Sequence, residues 1–256
     1  MNTFQLNKLS ELHDGKKIFF TKTDYIDRDL VTIGTLDNEV ILISGNSDFD
    51  INESHIHKMP SNLKVWFATN AIIKHEKIIH LPIGLDNGIE SLRDGHGVKW
   101  DTVKLKDDFI YNHEKKEPTK FIYSNFRVIT NIQHRSRVKQ VCETTPYITW
   151  EEPNLTIPEF YSKILDYEAV VCPSGNGRGD NHRLYEVIYL NRIPITFNKV
   201  MYDLIYHKLP VVLLDSPVQL QNYDFMKEQI EIQKQKNWNR DLLDINYWKN
   251  LILSYT

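Results

Sequence analysis

The residues best equipped for chemistry lie in one short segment, Cys172-Pro-Ser-Gly-Asn-Gly-Arg-Gly-Asp-Asn-His-Arg-Leu-Tyr-Glu186. Gly175, Gly177 and Gly179 leave a loop free of side-chain bulk, able to approach a ligand and to adopt positive φ. A helix is expected from about residue 180, with Asp180 or Asn181 as its N-cap. Its first turn offers N–H groups and the positive end of a dipole. Arg178 and Arg183 add guanidinium groups whose planar geometry suits phosphate. Together these features describe an anion pocket sized for a diphosphate. Arg183 and Glu186 stand three residues apart and share a helix face. As a site pair, the arginine would hold diphosphate and the glutamate would accept hydrogen bonds from ribose hydroxyls. As an ordinary pair they would add a few tenths of a kcal/mol of surface stabilisation.

The glycine spacing is G-x-G-x-G. It is not the dinucleotide fingerprint, and no acidic residue closes a second strand at the expected offset. No Gly-Lys-Ser/Thr of a P-loop is present. Asp27-Arg28-Asp29 and Asp48-Phe49-Asp50 both match D-x-D, a short pattern common in acidic loops. His55-x-His57 lacks a third ligand in register and reads as a solvated loop. No metal site is expected. Trp66, Phe67, Trp100 and Trp150 offer faces for sugar stacking, with core packing the alternative for Trp66 and Phe67.

These groups must be held by a framework. The 256 residues suit two compact α/β lobes. Apolar residues make up 41 % and charged residues 25 %, and the net charge is −3. This near balance argues against a general nucleic-acid binder. Two cysteines, Cys142 and Cys172, make no disulfide framework, so a reducing compartment is expected, with Cys172 a small core residue. No leader and no membrane span are visible, and a cytoplasmic location is expected, host cytoplasm if the source is viral.

Apolar runs at 17–20, 39–44, 63–68 and 78–81 read as strands of a first lobe. Residues 86–117 carry glycines and charged runs, and read as a long loop and interdomain connection. The boundary is set at 116: residues 1–116 form a first lobe, and 117–256 a second lobe that carries the glycine loop. In the second lobe, strands are expected at 120–124, 168–172, 193–197 and 211–214, and helices at 131–142, 157–165 and 180–191. The chain from 218 reads as helical, broken near 237–241, with a last helix that crosses back to the first lobe. The segment 169–196 is thus strand, glycine loop, helix, tight turn, strand, a βαβ unit.

That segment is similar to the donor-site motif of exostosin-like glycosyltransferases and their viral and bacterial relatives: a glycine loop, Asp180-x-His-Arg183-x-Tyr-Glu186, then Asn191-Arg-Ile-Pro-Ile195. Tyr123-Ser-Asn-Phe-Arg127, Thr130-Asn131 and Arg135 or Arg137 resemble the start of that family's second lobe. Residues 41–48, 65–70 and 80–85 resemble first-lobe segments. Asn191 departs from the family, which has glycine there, and the loop 86–97 does not align. The resemblance implies a GT-B-like α/β fold, two Rossmann-like lobes with parallel sheets facing across a cleft. It implies sugar transfer from a UDP- or GDP-type sugar nucleotide to a glycan acceptor, with inversion, without a required metal and without another cofactor. Donor-binding residues would then be Ser124, Asn125, Arg127, Ser174, Gly175, Asn176, Gly177, Gly179, Asp180, His182 and Glu186. Arg178 and Arg183 would stabilise the leaving diphosphate. The general base would come from the first lobe: Asp48 first, then Asp24, His96 and Asp86, with an Asx-turn the alternative role for Asp48. The competing expectation is a non-catalytic nucleotide-sugar binder, or an epimerase or reductase of the same α/β class.

Overall fold

The computed structural model describes residues 2–89 and 98–256, Ile89 by its backbone alone. His96 and most of the unaligned loop lie outside the described residues. The chain forms two compact units. One comprises the described part of Met1–Val103 with Gly177–Asp180 and Arg240–Thr256; the other comprises Lys104–Asn176 and Asn181–Asn239.

The first unit is built on four parallel strands, β1 (Ile18–Lys22), β2 (Val40–Gly45), β3 (Leu63–Ala68) and β4 (Ile78–His80), in that spatial order. Helix α1 (Ile26–Gly34) joins β1 to β2, and the single turn α2 (Glu53–Ile56) precedes β3. Every residue of β2 is buried, as its unbroken apolar run demands of a strand covered on both faces. Side chains alternate between the faces. Ile41, Ile43, Val65 and Phe67 pack with Phe4, Leu6, Trp248 and Ile252. Val40, Leu42, Leu63 and Trp66 pack with Ile26, Leu30 and Ile33, which lie at i, i+4 and i+7 of α1. Trp66 and Phe67 are therefore core; the Trp66 indole donates to Ser44 Oγ at 2.8 Å. A two-stranded pair, β5 (Gly88–Ile89) and β6 (Val98–Lys99), follows.

Residues 86–117 do not form one long loop. Helix α3 (Trp100–Asn112) occupies their second half, and the charged run 104–108 lies inside it. Val103, Lys106 and Ile110 are its buried residues, spaced three and four apart on one face. A lysine at the centre of that stripe hid the helical period, because Lys106 is buried despite its charge. The units divide at Val103/Lys104, before the boundary set at 116, and Arg240–Thr256 goes with the first unit.

The second unit carries β7 (Lys120–Ser124), α4 (Ile132–Thr144), β8 (Ile148–Trp150), α5 (Ile157–Leu165), β9 (Tyr167–Val171), α6 (His182–Tyr189), β10 (Ile193–Thr196), α7 (Lys199–Leu204), β11 (Val212–Leu213) and α8 (Tyr223–Gln235). Its strands are all parallel, in the order β8-β7-β9-β10-β11. One sheet face packs through Ile122, Ala169, Val171 and Ile195 against Val138 and Cys142 of α4 and Met226 and Ile230 of α8. On the other, Tyr123 stacks on Tyr167 at 4.9 Å and lies 6.1 Å from Phe160 of α5. The last helix, α9 (Ile245–Leu253), belongs to the first unit through Ile245, Trp248 and Ile252. Among the described residues no helix is long and apolar enough to cross a membrane.

Asn191 ends α6 with φ +56°. Glycine adopts this left-handed conformation at no cost and asparagine at little, which accounts for asparagine standing where the resembled family has glycine. Asn191→Gly is expected to leave stability within about 0.5 kcal/mol, and Asn191→Val to cost at least about 1 kcal/mol. Urea denaturation of the two variants measures the difference; equal costs would show that the turn does not depend on φ.

Candidate functional site

The second unit's strand order, counted within the unit, is 2-1-3-4-5. The direction of winding reverses between its first and third strands, β7 and β9. In open parallel sheets ligands bind beyond the carboxyl ends of the strands at such a reversal. The segments leaving these two strands are 125–127 and 172–176, both marked by the sequence.

The loop after β9 is anchored by its carbonyls. Pro173 O accepts from Arg135 Nη2 at 3.2 Å and from Asn181 Nδ2 at 2.9 Å. Ser174 O accepts from Arg135 Nε at 2.8 Å, and Gly175 O from Asn131 Nδ2 at 3.1 Å. In a trans peptide plane the N–H points opposite to the C=O. Tying back the carbonyls of 173–175 therefore aims the N–H groups of 174–176 the other way, as in an anion-binding nest. Arg135 also donates from Nη1 to Arg127 O at 2.8 Å, so one guanidinium joins both segments. It is 8 % exposed, and burial, then the nearby Arg183, pushes its pKa down to about 10. The sequence named Arg135 only as an alternative to Arg137; its role as an internal brace needed the structure.

Asn181, not Asp180, caps α6: its side chain accepts from Arg183 N at 3.0 Å. Arg183 spends most of its guanidinium on the protein. Nε contacts Glu186 Oε2 at 2.9 Å, Nη1 donates to Asn125 O at 2.8 Å, and the group lies 3.9 Å from the centroid of the Phe160 ring. Glu186 is also engaged by Lys106 Nζ on its other oxygen. Both Glu186 and Lys106 are nearly sealed, with side chains 5 % and 8 % exposed. The glutamate expected to meet ribose is instead the centre of a buried Lys–Glu–Arg cluster. Helix α6 is correspondingly buried from Leu184 to Tyr189, with no exposed outer face.

Other expected donor residues also divide. Ser124 is fully buried beneath the site, and Asn125 is 3 % exposed, with Nδ2 donating to Glu152 O at 3.2 Å. Arg127, Asn176, Gly177 and Arg178 are exposed, and Ser174, Gly175, Gly179 and His182 partly so. The three glycines serve three ends. Only Gly177 has positive φ, +72°. A Cβ on Gly179 would fall 2.5 Å from Asn70 Oδ1, so glycine is required there by the protein itself. A Cβ on Gly175 would meet only Arg135 Nη2, at 3.9 Å, an ordinary contact.

Within the first unit, Asn70 organises Gly177–Asp180. Its Oδ1 accepts from Asp180 N at 2.8 Å and its Nδ2 donates to Ser47 O at 2.9 Å, from a backbone at φ +53°. Asp180 Oδ2 accepts from Ile83 N at 2.9 Å, which explains why Asp180 does not cap the helix. Asp48 is exposed beyond β2; the turn there is closed by Ser47 Oγ, which accepts from Phe49 N at 3.1 Å. Asp50 lies deeper. Its Oδ2 is 3.8 Å from Arg178 Nε, and burial, opposed by that guanidinium, raises its pKa above the usual carboxylate value.

Trp100 is half exposed at the start of α3 and would meet any Cβ on Gly88. Trp150 packs edge-on against Phe126 at 4.9 Å with Lys139 over its ring. Asp27 pairs with Lys58 at 2.7 Å and Asp29 with Arg28 at 2.8 Å. His55 caps its own turn by accepting from Asn52 N at 3.2 Å. Cys142 and Cys172 are free and buried, the latter's thiol pushed up to about 12 chiefly by burial. No protein-family model matches the chain, and the search of curated proteins finds no match.

Proposed function

We propose that the chain is a glycosyltransferase of the GT-B kind, moving a sugar from a UDP- or GDP-type nucleotide to a glycan hydroxyl, with inversion and without a required metal or other cofactor. One observation carries the reading: at the strand-order reversal of the second unit, the loop after β9 has the carbonyls of 173–175 tied inward, which turns its N–H groups outward beside the capped start of α6. That arrangement suits a diphosphate. Arg127 and Arg178 are the exposed cations nearest in sequence to the two segments, and Arg183 contributes Nη2 and a fixed charge. Stabilising the departing diphosphate by groups already oriented lowers the barrier without reorganisation. The resemblance to exostosin-like enzymes supplies the reaction type. For the base, Asp48 is joined by Asp50, whose raised pKa brings it closer to the range a general base needs.

Gly175→Ala tests the site cleanly. The added methyl meets no protein clash, so the variant is expected to keep its Tm, while the methyl intrudes on the surface where the diphosphate lies. UDP or GDP at 100 times its Kd is expected to stabilise the wild-type chain by about 2.7 kcal/mol, and Gly175→Ala to weaken that affinity at least tenfold. EDTA is expected to change neither binding nor transfer. Absence of a thermal shift with every nucleoside diphosphate and sugar nucleotide would overturn the reading, and binding without transfer to any glycan would reduce it to a nucleotide-sugar binder.

A further inference from the structure

The first turns after β7 present apolar side chains to solvent. Ile129 is 79 % exposed and Ile132 62 % exposed, and no other large apolar residue among those described is as exposed as Ile129. Ile129 lies in the 3-10 turn Val128–Asn131, which leads directly into α4. At three residues per turn, positions 129 and 132 fall on the same side. The backbone between them is pinned. Asn131 caps α4 by accepting from His134 N at 3.3 Å, and donates from Nδ2 to Gly175 O at 3.1 Å. The two isoleucines are therefore a fixed projection of the second unit.

The charges around them are of one sign. Ile132, Gln133, Ser136, Arg137 and Gln140 are exposed and fall within about 140° of the circumference of α4. Arg135, Val138 and Cys142 are buried on the opposite side. No acidic residue occurs from 118 to 142. Lys139 is neutralised by Glu143 at 3.6 Å and Glu152 at 2.6 Å. Arg127 and Arg137 are exposed and enter no ion pair among the described residues. An apolar tip thus stands between two unpaired guanidiniums, on a chain whose net charge is −3. Exposed aliphatic side chains beside basic ones are the makeup of interfacial membrane contacts: the first enter the headgroup–acyl boundary and the second meet anionic headgroups. Single-stranded nucleic acid is a poorer complement, because its bases stack on aromatic faces and isoleucine has none.

We propose that Ile129 and Ile132, flanked by Arg127 and Arg137, form a peripheral docking surface for a bilayer containing anionic lipid. The lipid contact does not depend on the transferase reading; only its use, to bring the glycine loop close to a membrane, rests on it. The experiment sediments the full chain with vesicles of phosphatidylcholine alone and of phosphatidylcholine mixed with phosphatidylglycerol. The double variant Ile129→Ser/Ile132→Ser and the single variant Arg137→Glu are run alongside, with Tm and UDP and GDP binding as controls. The mixed vesicles are expected to bind the wild-type chain at least tenfold more tightly than phosphatidylcholine does. Each basic residue near an anionic surface is worth roughly fivefold, so the charge reversal in Arg137→Glu is expected to weaken binding at least tenfold. The double variant is expected to weaken it as much. All three side chains are exposed, so Tm is expected to hold in both variants. Binding that the double variant leaves unchanged would make the contact purely electrostatic and overturn the proposal. Tight binding of a homopolymeric RNA, lost in Arg137→Glu and kept in the double variant, would assign the surface to nucleic acid and overturn it too. Vesicle binding without nucleotide binding would support the surface and sink the transferase reading, and nucleotide binding without vesicle binding would overturn the surface alone.

Discussion

Glu186→Ala is expected to destabilise the second unit by about 3–5 kcal/mol, the range for removing one partner of a buried ion pair. Glu186 neutralises two cations, Lys106 and Arg183, from a side chain only 5 % exposed. Its loss leaves Lys106 charged, 8 % exposed and without its carboxylate. Lys106→Met is expected to cost less, because Glu186 keeps Arg183 at 2.9 Å and methionine keeps the apolar stem in the α3 stripe. At roughly 2–4 °C per kcal/mol for a chain of this size, Glu186→Ala lowers Tm by at least about 6 °C. Scanning calorimetry of both variants checks the order. If Lys106→Met proved the more damaging, or both were neutral, the cluster would not be a cooperative support. The same physics warns that lost nucleotide binding in Glu186→Ala is no evidence of a ribose contact.

Arg135→Lys is expected to cost about 2–4 kcal/mol and to weaken nucleotide binding at least tenfold. Hydrogen bonds to charged groups contribute about 1.5–3 kcal/mol each, and a buried carbonyl left without its donor is penalised further. The guanidinium serves Pro173, Ser174 and Arg127 from three nitrogens in one plane. A lysine ammonium is a point donor on a flexible stem and reproduces only part of that fork. Without it, Ser174 O loses its donor and Pro173 O keeps only Asn181 Nδ2, so the peptide N–H groups that follow them are held less firmly in direction. Urea denaturation and nucleotide titration together provide the check. A variant that loses stability and retains full nucleotide affinity would show that the loop's orientation does not depend on Arg135.

Much of the framework was legible in the residues. Strands expected at 63–68 and 120–124 form at those residues, and the helix expected at 157–165 likewise. Those expected at 39–44, 168–172 and 131–142 form within a residue or two. These elements announce themselves because burial on both sheet faces demands unbroken apolar runs, and a helix start demands a cap such as Thr156 with Glu159. Helix α3 was not legible, since Lys106 breaks its apolar stripe and its partner Glu186 lies 80 residues away. The short strand β8 and helix α7 gave too few residues for a period to show.

For the site, the chain order alone determined that a glycine loop would stand between a buried strand and a helix, with arginines nearby. That much follows from local rules, because backbone freedom, caps and apolar periodicity act over a few residues. Only the tertiary structure decided what each group does. It made Arg135 a brace, Glu186 a buried counter-ion, Gly179 a seat for Asn70, and Asp50 the deeper of two carboxylates. Those roles depend on burial and on partners many tens of residues distant, and neither is written in any local stretch of sequence.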